Sequence, residues 1–207
     1  GKFEEWYVNG KKKLEGEYIE SPKGLNSDFL IYEYWNDKNE HTVIKGNGLF
    51  EQNEDDRMVA GKIKDGFKDG VWKSLNNQSK KQYVDIYKKG EFIVGKSIDS
   101  SGNEIEYKNL EVKPLPKKGI QDFYEFIGKN FTKTSSAIQN RISGKLYITF
   151  IIDKEGKIIE PKVIKPLGYG LDEEAIRVIT SYENWNPGQQ RGVNVRVSYS
   201  IPITVSL

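Results

Sequence analysis

The chain has 207 residues, of which 36% are hydrophobic, 12% aromatic and 30% charged. Its 32 basic and 30 acidic residues leave a net charge of +2, which provides no electrostatic footprint for nucleic acid or for an anionic membrane surface. The absence of cysteine excludes disulfides, thiolate catalysis and zinc–thiolate sites.

His41 is the only histidine, and its neighbours Asn39, Glu40 and Thr42 are typical of a loop. A catalytic triad or a multi-histidine metal site would have to be built around this one residue, so we expect an exposed loop residue, no metal and no cofactor. No stretch approaches the ~20 apolar residues of a membrane span. The first residue is Gly rather than Met, so we expect any signal peptide, lipid anchor or membrane anchor to lie upstream.

Up to about residue 108, short aromatic segments alternate with residues that favour turns. The clearest units are Trp6–Gly10, Tyr32–Asp37 and Asp69–Lys73. Asn-Gly and Asp-Gly pairs supply the positive φ angles that tight hairpin turns need. The pattern predicts an all-β antiparallel meander as a first domain over residues 1–108.

These units resemble bacterial MORN-type repeats over about residues 3–107, and Lys62–Trp72 is the best match. In such repeats a short hairpin carries a Trp or Tyr and closes with a Gly turn. We expect Trp6, Tyr34, Trp35 and Trp72 to be ladder residues that fill one face of the sheet. The alternative is that these aromatics lie on the repeat surface and stack against a ligand.

An acidic run in the same half contains Glu51, Glu54, Asp55 and Asp56. Carboxylates at such density could suggest a cation site. The run lacks the glycine and the spacing of a calcium-binding loop, so a solvated turn is the better interpretation.

The prolines Pro114 and Pro116 favour an extended, non-helical spacer, which predicts a linker over residues 109–118. A second domain then covers residues 119–207. Its first element is an amphipathic helix, because apolar residues recur at helical spacing from Ile120 to Phe131.

Three strands and a second helix follow. Strands are predicted from Lys145 to Ile152 and from Lys157 to Ile164, joined by a hairpin turn at Asp153–Gly156. A helix over Leu171–Tyr182 follows, with acidic residues in its first turn. From Val193 to Leu207 apolar and polar residues alternate, which predicts one continuous strand.

Two prolines indicate the order of these strands in the sheet. Pro161 lies in the second strand and Pro202 in the third, and central strands tolerate proline poorly. The first strand should therefore be central in a three-stranded antiparallel sheet with two helices on one face, which makes the chain α+β overall. The last strand would span ~50 Å and would be an exposed edge. Such an edge accepts an extended peptide, pairs with a second copy, or packs on the repeat domain.

The second half resembles the TonB C-terminal domain family over about residues 114–207. The motifs that carry the resemblance are Gly119–Asn130, Ser143–Phe150 with Asp153, Gly156 and Lys157, Gly170–Ala175, Trp185–Gly188, Gly192–Val195 and Ile201–Ile203. The family implies a periplasmic module of an inner-membrane energy transducer, whose last strand pairs with the TonB box of an outer-membrane receptor. Carried over, the pairing strand consists of Val193, Asn194, Val195, Arg196, Val197, Ser198 and Tyr199.

The sequence leaves functions of different classes to compare. The leading hypothesis is a non-enzymatic periplasmic module that accepts an extended peptide on its last strand, in a protein anchored to the cell envelope. The second is an envelope scaffold or homodimer that uses the repeat sheet without energy transfer. An enzyme is the weakest, because the acidic pair Asp153 and Glu155 flanks a hairpin tip with no convergent base or nucleophile.

Overall fold

The computed structural model describes residues 1–20, 27–54, 56–183 and 185–206. The chain divides into two compact units, residues 1–110 and 111–207. The predicted α+β class is confirmed, with a ten-stranded antiparallel sheet in the first unit and three helices with a three-stranded antiparallel sheet in the second. Two residues named in the sequence predictions, Asp55 and Leu207, lie outside the described residues.

The first unit is a single sheet in which each strand pairs with the next one along the chain. The N-terminal antiparallel meander is therefore confirmed. Its strands are β1 (Lys2–Trp6), β2 (Lys12–Glu20), β3 (Ser27–Trp35), β4 (His41–Ile44), β5 (Asn47–Glu54), β6 (Arg57–Lys64), β7 (Phe67–Asn76), β8 (Gln82–Lys88), β9 (Glu91–Ile98) and β10 (Glu104–Tyr107).

Two-residue turns with both φ angles positive join three of the hairpins: Lys45-Gly46, Asp65-Gly66 and Lys89-Gly90. The N–H of Gly66 donates to the carbonyl of Gly46 (2.8 Å), so one turn is hydrogen-bonded to another. The predicted turn at Asp69-Gly70 is wrong. These residues lie inside β7 where its register against β6 shifts, because the hairpin closes earlier at Asp65-Gly66.

Aromatic rings form a continuous ladder along one face of this sheet. The ring centroids are 4.2 to 6.4 Å apart along the series Tyr34, Phe50, Trp72, Tyr87, Phe92 and Tyr107. Two of the rings lie over glycines of the neighbouring strand. Trp72 is paired with Gly61, and Tyr107 is paired with Gly95. Offset and edge-to-face ring contacts therefore supply the core of the sheet.

The sequence predicted that His41 lies in a loop, and this prediction is wrong, because His41 is the first residue of β4. Its ring stacks on Trp35 with 4.2 Å between the ring centroids, and its Nε2 lies 2.6 Å from Glu33 Oε2. These contacts give His41 a structural role at the edge of a hairpin.

Gly61→Ala tests the close approach of ring and backbone. A Cβ at this position would lie 2.2 Å from Cδ2 of Trp72, so the ring must move. We expect the first unit to lose about 1–3 kcal/mol in its free energy of unfolding. Urea unfolding followed on amide signals of the first unit measures this.

Gly128→Ala is the control for that experiment. Gly128 lies in a helix of the second unit, and a Cβ there meets nothing within 4 Å. Alanine should leave stability unchanged or raise it by up to about 1 kcal/mol. Equal unfolding midpoints for wild type and Gly61→Ala would contradict the ring-over-glycine packing.

The second unit contains α1 (Ile120–Asn130), α2 (Ser135–Gln139) and α3 (Leu171–Thr180). Its strands are β11 (Glu111–Val112), β12 (Leu115–Pro116), β13 (Gly144–Ile152), β14 (Ile158–Lys165), β15 (Trp185–Asn186), β16 (Gly188–Gln190), β17 (Val193–Val195) and β18 (Val197–Val205). The main sheet has the order β14-β13-β18. The central position of the first predicted strand, with a proline on each outer strand, is confirmed.

Alternate residues of β13 face the core of this unit. Leu146, Ile148, Phe150 and Ile152 are almost completely buried, and they pack with apolar residues of all three helices and of β18. The prediction of two helices was incomplete. The third, α2, has only five residues, so it leaves no helical period in the sequence, and the Thr134 side chain caps it by accepting the N–H of Ala137.

The alternation predicted one continuous final strand, and this prediction is wrong. The segment is divided at Arg196 into β17 and β18. The two parts have different partners, since β17 pairs with β16 and β18 pairs with β13. The segment predicted as a linker also contributes strands to this unit. In it, β11 pairs with β16 and β12 pairs with β15.

Polar contacts link α1, α3 and the residues that directly follow each helix. The Tyr182 hydroxyl donates to Asp122 Oδ2 (2.6 Å), and burial together with this bond raises the pKa of Tyr182 to about 12. Glu174 accepts two hydrogen bonds from Arg177, at 2.6 and 2.7 Å, and a third from the N–H of Thr132. The Arg177 guanidinium, assisted by the Thr132 N–H, holds the pKa of Glu174 below its ordinary value.

Glu174→Gln tests this ion pair through its pH dependence. The folded-state pKa is lowered, so the carboxylate contributes stability above its ordinary pKa of 4.5, and that contribution is lost as the pH falls through the folded-state pKa. At neutral pH the variant should lose at most about 1 kcal/mol, because solvent screens the exposed Arg177.

Urea unfolding at several pH values, followed on amide signals of α3, measures the difference between wild type and Glu174→Gln. The difference should vanish in acid. The control is Glu173→Gln, which removes an exposed carboxylate from the same helical turn. A gap that stays constant down to acid pH would show that the charge of Glu174 is not what matters.

Candidate functional site

The candidate site is the outer edge of the last strand, β17 followed by β18. In the order β14-β13-β18 the strand β18 is terminal, and in the order β11-β16-β17 the strand β17 is terminal. Within the described part of the chain, each therefore has a strand on one side only. Unpaired N–H and C=O groups along such an edge can accept another extended chain.

Local geometry shows which backbone groups face outward. The Arg191-Gly192 turn has two residues with positive φ, so it closes on a hydrogen-bonded pair, Gln190 and Val193. The backbone groups of Val193 and Val195 thus point to β16. From Val195 to Ser200 half-buried and exposed residues alternate without a break at Arg196, so the pleat stays in phase from β17 into β18.

Two observations in β18 agree with this phase. The Thr149 hydroxyl of β13 donates to the carbonyl of Tyr199 (3.0 Å), which places that carbonyl on the β13 side. Pro202 has no backbone N–H, so its nitrogen is expected on the side of the strand that does not hydrogen-bond to β13. The outward backbone groups therefore belong to Asn194, Arg196, Ser198, Ser200, Pro202 and Thr204.

The inner face of the last strand is anchored in the core. The Tyr199 ring stacks on Phe150, with 5.8 Å between the ring centroids, and meets the ring of Trp185 edge-on at 5.2 Å. Ile201 and Ile203 are buried. The edge is thus held by a rigid layer, which lowers the entropic cost of presenting it to a ligand.

The side chains beside the open edge are small or tied back. Ser198 and Ser200 are exposed, and Arg196 forms an ion pair with Glu160 of β14 on the far side of the central strand. The amide of Asn194 donates to the carbonyl of Lys154 (2.8 Å), in the β13–β14 turn. These contacts leave the backbone accessible along the edge.

The opposite edge of the sheet, β14, is blocked by its own sequence. Pro161 lies in the middle of the strand, and Glu160 before it has a φ of +51°. The register against β13 shifts here, between Thr149 and Ile151. This bulge and the proline remove a run of regular donors and acceptors, so β14 is a poor template for a second chain.

The repeat aromatics lie in different environments. Tyr34 is 0% exposed and Trp72 3%, so the idea that they are surface residues is wrong, because they are members of the buried ring ladder. Trp35 is half-buried under His41. Trp6 is 51% exposed and lines a cleft of about 580 Å³ together with Tyr7, Asp37 and Arg57.

Lys13 lies at the base of that cleft. Its Nζ contacts Glu5 (2.9 Å) and Glu54 (3.2 Å), and it lies over the ring of Tyr7. Burial disfavours the ammonium, but the two carboxylates outweigh it and raise the pKa of Lys13. Glu54 is thus an ion-pair partner, and Asp56 accepts a hydrogen bond from Gln78.

The acidic pair considered for catalysis has a structural role. Asp153 Oδ1 accepts the N–H groups of Glu155 (3.0 Å) and Lys157 (2.8 Å), which fixes the hairpin turn. Among the described residues, no group of three or more His, Asp and Glu side chains is arranged to hold a metal ion. In the same part of the chain, the helices are too short and too polar to cross a membrane.

Comparison with protein-family models gives a match to the Gram-negative bacterial TonB protein C-terminal domain over residues 135–207. The match contains α2, α3, the main sheet and the open edge. It supports a TonB C-terminal type of domain here, and this family is a non-enzymatic, periplasmic protein-interaction family. Searches of curated proteins and of solved structures give no match. The MORN-type character of the first unit stays a prediction.

Sequence reasoning missed the strands that support β17. Gly188, in β16, packs tightly against Val197 of the last strand and against Pro114. A Cβ at this position would lie 2.5 Å from Val197 Cγ2 and 3.1 Å from Pro114 Cδ. The Trp185–Gly188 motif forms β15 and the start of β16. The Arg191-Gly192 pair was the available signal for this hairpin.

Gly188→Ala tests whether β16 and the segment around Pro114 hold the edge in place. The added methyl group has no room, and overpacking of this kind costs about 1–3 kcal/mol. We expect amide hydrogen exchange at Val193 and Val195 to accelerate at least about fivefold. Gln190→Ala, at an exposed position of the same strand, should change little. Equal exchange in both variants would show that β17 does not depend on this packing.

Proposed function

We propose that the second unit is a periplasmic TonB-like binding module that accepts an extended peptide by β-strand pairing along the open edge from Asn194 to Ser200. The observation that carries this proposal is the continuous row of outward backbone groups on a strand whose inner face is locked into the core. Main-chain hydrogen bonds give affinity in this mode of recognition, and alternate side chains of the ligand give specificity.

The family match supports the same assignment from a separate direction, because it spans the whole of this edge. The expected ligand is the TonB box of an outer-membrane receptor. Within the proposal, the predicted residues divide into two sets. The backbone groups of Asn194, Arg196 and Ser198 meet the ligand, while Val193, Val195, Val197 and Tyr199 hold the strand on the sheet.

Energy-dependent transport is the wider role that this binding would serve. It requires an anchor in the inner membrane on the N-terminal side of the module. Force applied through residue 110 would reach the module first at β11 and β12, whose antiparallel contacts with β16 and β15 involve two residues each. A pulling role therefore depends on how firmly these short strands hold.

A scaffold that uses the first unit is a second candidate. Exposed apolar residues on its sheet favour it, including Leu49 at 68% exposure, Val71 at 51% and Ile86 at 41%. Val71 and Ile86 are paired across β7 and β8, so they form one apolar spot. Light scattering of the whole chain tests self-association through this sheet, and a strict monomer would contradict a homodimer.

Ser198→Pro tests peptide pairing on the edge. Proline removes one outward N–H and places its ring where the ligand backbone must lie, while the inner ladder to β13 keeps its donors. We expect binding of a TonB-box heptapeptide from a Gram-negative receptor to weaken at least about tenfold, as measured by calorimetry.

Ser198→Ala is the matched control, because it removes the hydroxyl and keeps the backbone N–H. It should bind within about threefold of wild type. Amide spectra of both variants check that the second unit is folded. Equal binding by Ser198→Pro and Ser198→Ala, or no binding of any TonB-box peptide to the folded wild type, would overturn the proposal.

A further inference from the structure

Pro202 lies opposite Tyr147 in the register of β18 against β13, between the buried residues Ile201 and Ile203. Its exposed ring is on the outer strand of the sheet. Of the nine pairs between β13 and β18, one is formed by Pro202 itself, five lie on its Val197 side and three lie beyond it. The proline therefore divides the open edge into a long part and a short part.

The position of the missing N–H determines what this division does. Outward backbone groups belong to Asn194, Arg196, Ser198 and Ser200 on the long part, and the next outward nitrogen is that of Pro202. A proline nitrogen donates no hydrogen bond, and its Cδ occupies the space where the hydrogen would point. A strand added along the edge loses a donor at this point and is also pushed away from the backbone.

We propose that Pro202 is a specificity-determining residue that ends the ligand ladder and so limits the bound segment to about seven extended residues, paired with Asn194–Ser200. The inference rests on the proposed function of this edge. It adds a length limit that strand pairing alone does not impose, because the strand itself continues to Val205.

The other edge of the sheet shows why the location of the proline matters. On β14, Pro161 and the bulge at Glu160 interrupt the strand near its middle. On the last strand the proline follows the run from Asn194 to Ser200, which it leaves intact. One proline thus blocks an edge, and the other sets the end of a usable one.

Peptide length is the variable that tests this inference. The probes are a TonB-box heptapeptide and the same peptide extended at either end by one or two Thr-Val pairs. For the wild type we expect the extensions to change the dissociation constant less than about twofold. For Pro202→Ala, the extension that reaches Thr204 should tighten binding about three- to tenfold, because it restores an outward donor.

Pro202→Thr is the second variant, since threonine suits an exposed strand position if alanine weakens the fold. Pro161→Ala on the opposite edge is the matched control and should keep the wild-type length dependence. Protection of the Thr204 amide from hydrogen exchange, seen only with the long peptide and only in the Pro202 variants, is the residue-level readout. Light scattering separates peptide pairing from self-pairing of the variants.

The outcomes distinguish the inference from the function on which it rests. If no peptide binds the folded wild type or the variants, the proposed function fails and the length limit fails with it. If peptides bind and the wild type gains from extension as much as Pro202→Ala does, only the length limit is overturned. Tightening confined to the Pro202 variants supports both.

Discussion

Hydrogen bonding between antiparallel strands is the interaction on which both units depend. In the second unit, the decisive feature is the strand edge at which this hydrogen bonding ends. Its last strand receives partners on one side only, from β16 up to Val195 and from β13 after Val197. Together these two partners extend the paired strand past the end of β13 at Ile152. The unpaired side is therefore longer than a three-stranded sheet alone could support.

The two units stabilise their sheets in different ways. In the second, helices cover one face of the sheet, and Phe123, Phe150 and Trp185 meet in a common core. In the first, all described strands belong to one sheet, and aromatic rings bury one another by crossing the glycines of neighbouring strands. Ring size thus compensates for a missing second layer, which fits a chain with many aromatics and few aliphatic residues.

Local chemistry could be predicted from the sequence, and long-range partners could not. Pro161 and Pro202 correctly placed two strands at the edges, because a missing N–H is a property of the residue itself. The division at Arg196 left no trace in the sequence, since apolar and polar residues alternate through it while the partner strand changes. Two Asp-Gly pairs lie close together, and only the register between β6 and β7 decides that Asp65-Gly66 forms the turn.

Under the proposed function, this edge must bind one extended chain and avoid binding all others. Large apolar side chains beside the backbone would make it adhesive, and unpaired charges would repel most ligands. Ser198 and Ser200 are among the exposed residues of the last strand, and Arg196 forms an ion pair with Glu160 from the opposite edge. The groups left for recognition are the backbone N–H and C=O groups along the edge. Under the proposed strand pairing, a residue that removes one backbone donor changes which ligand fits, and on this strand that residue is Pro202.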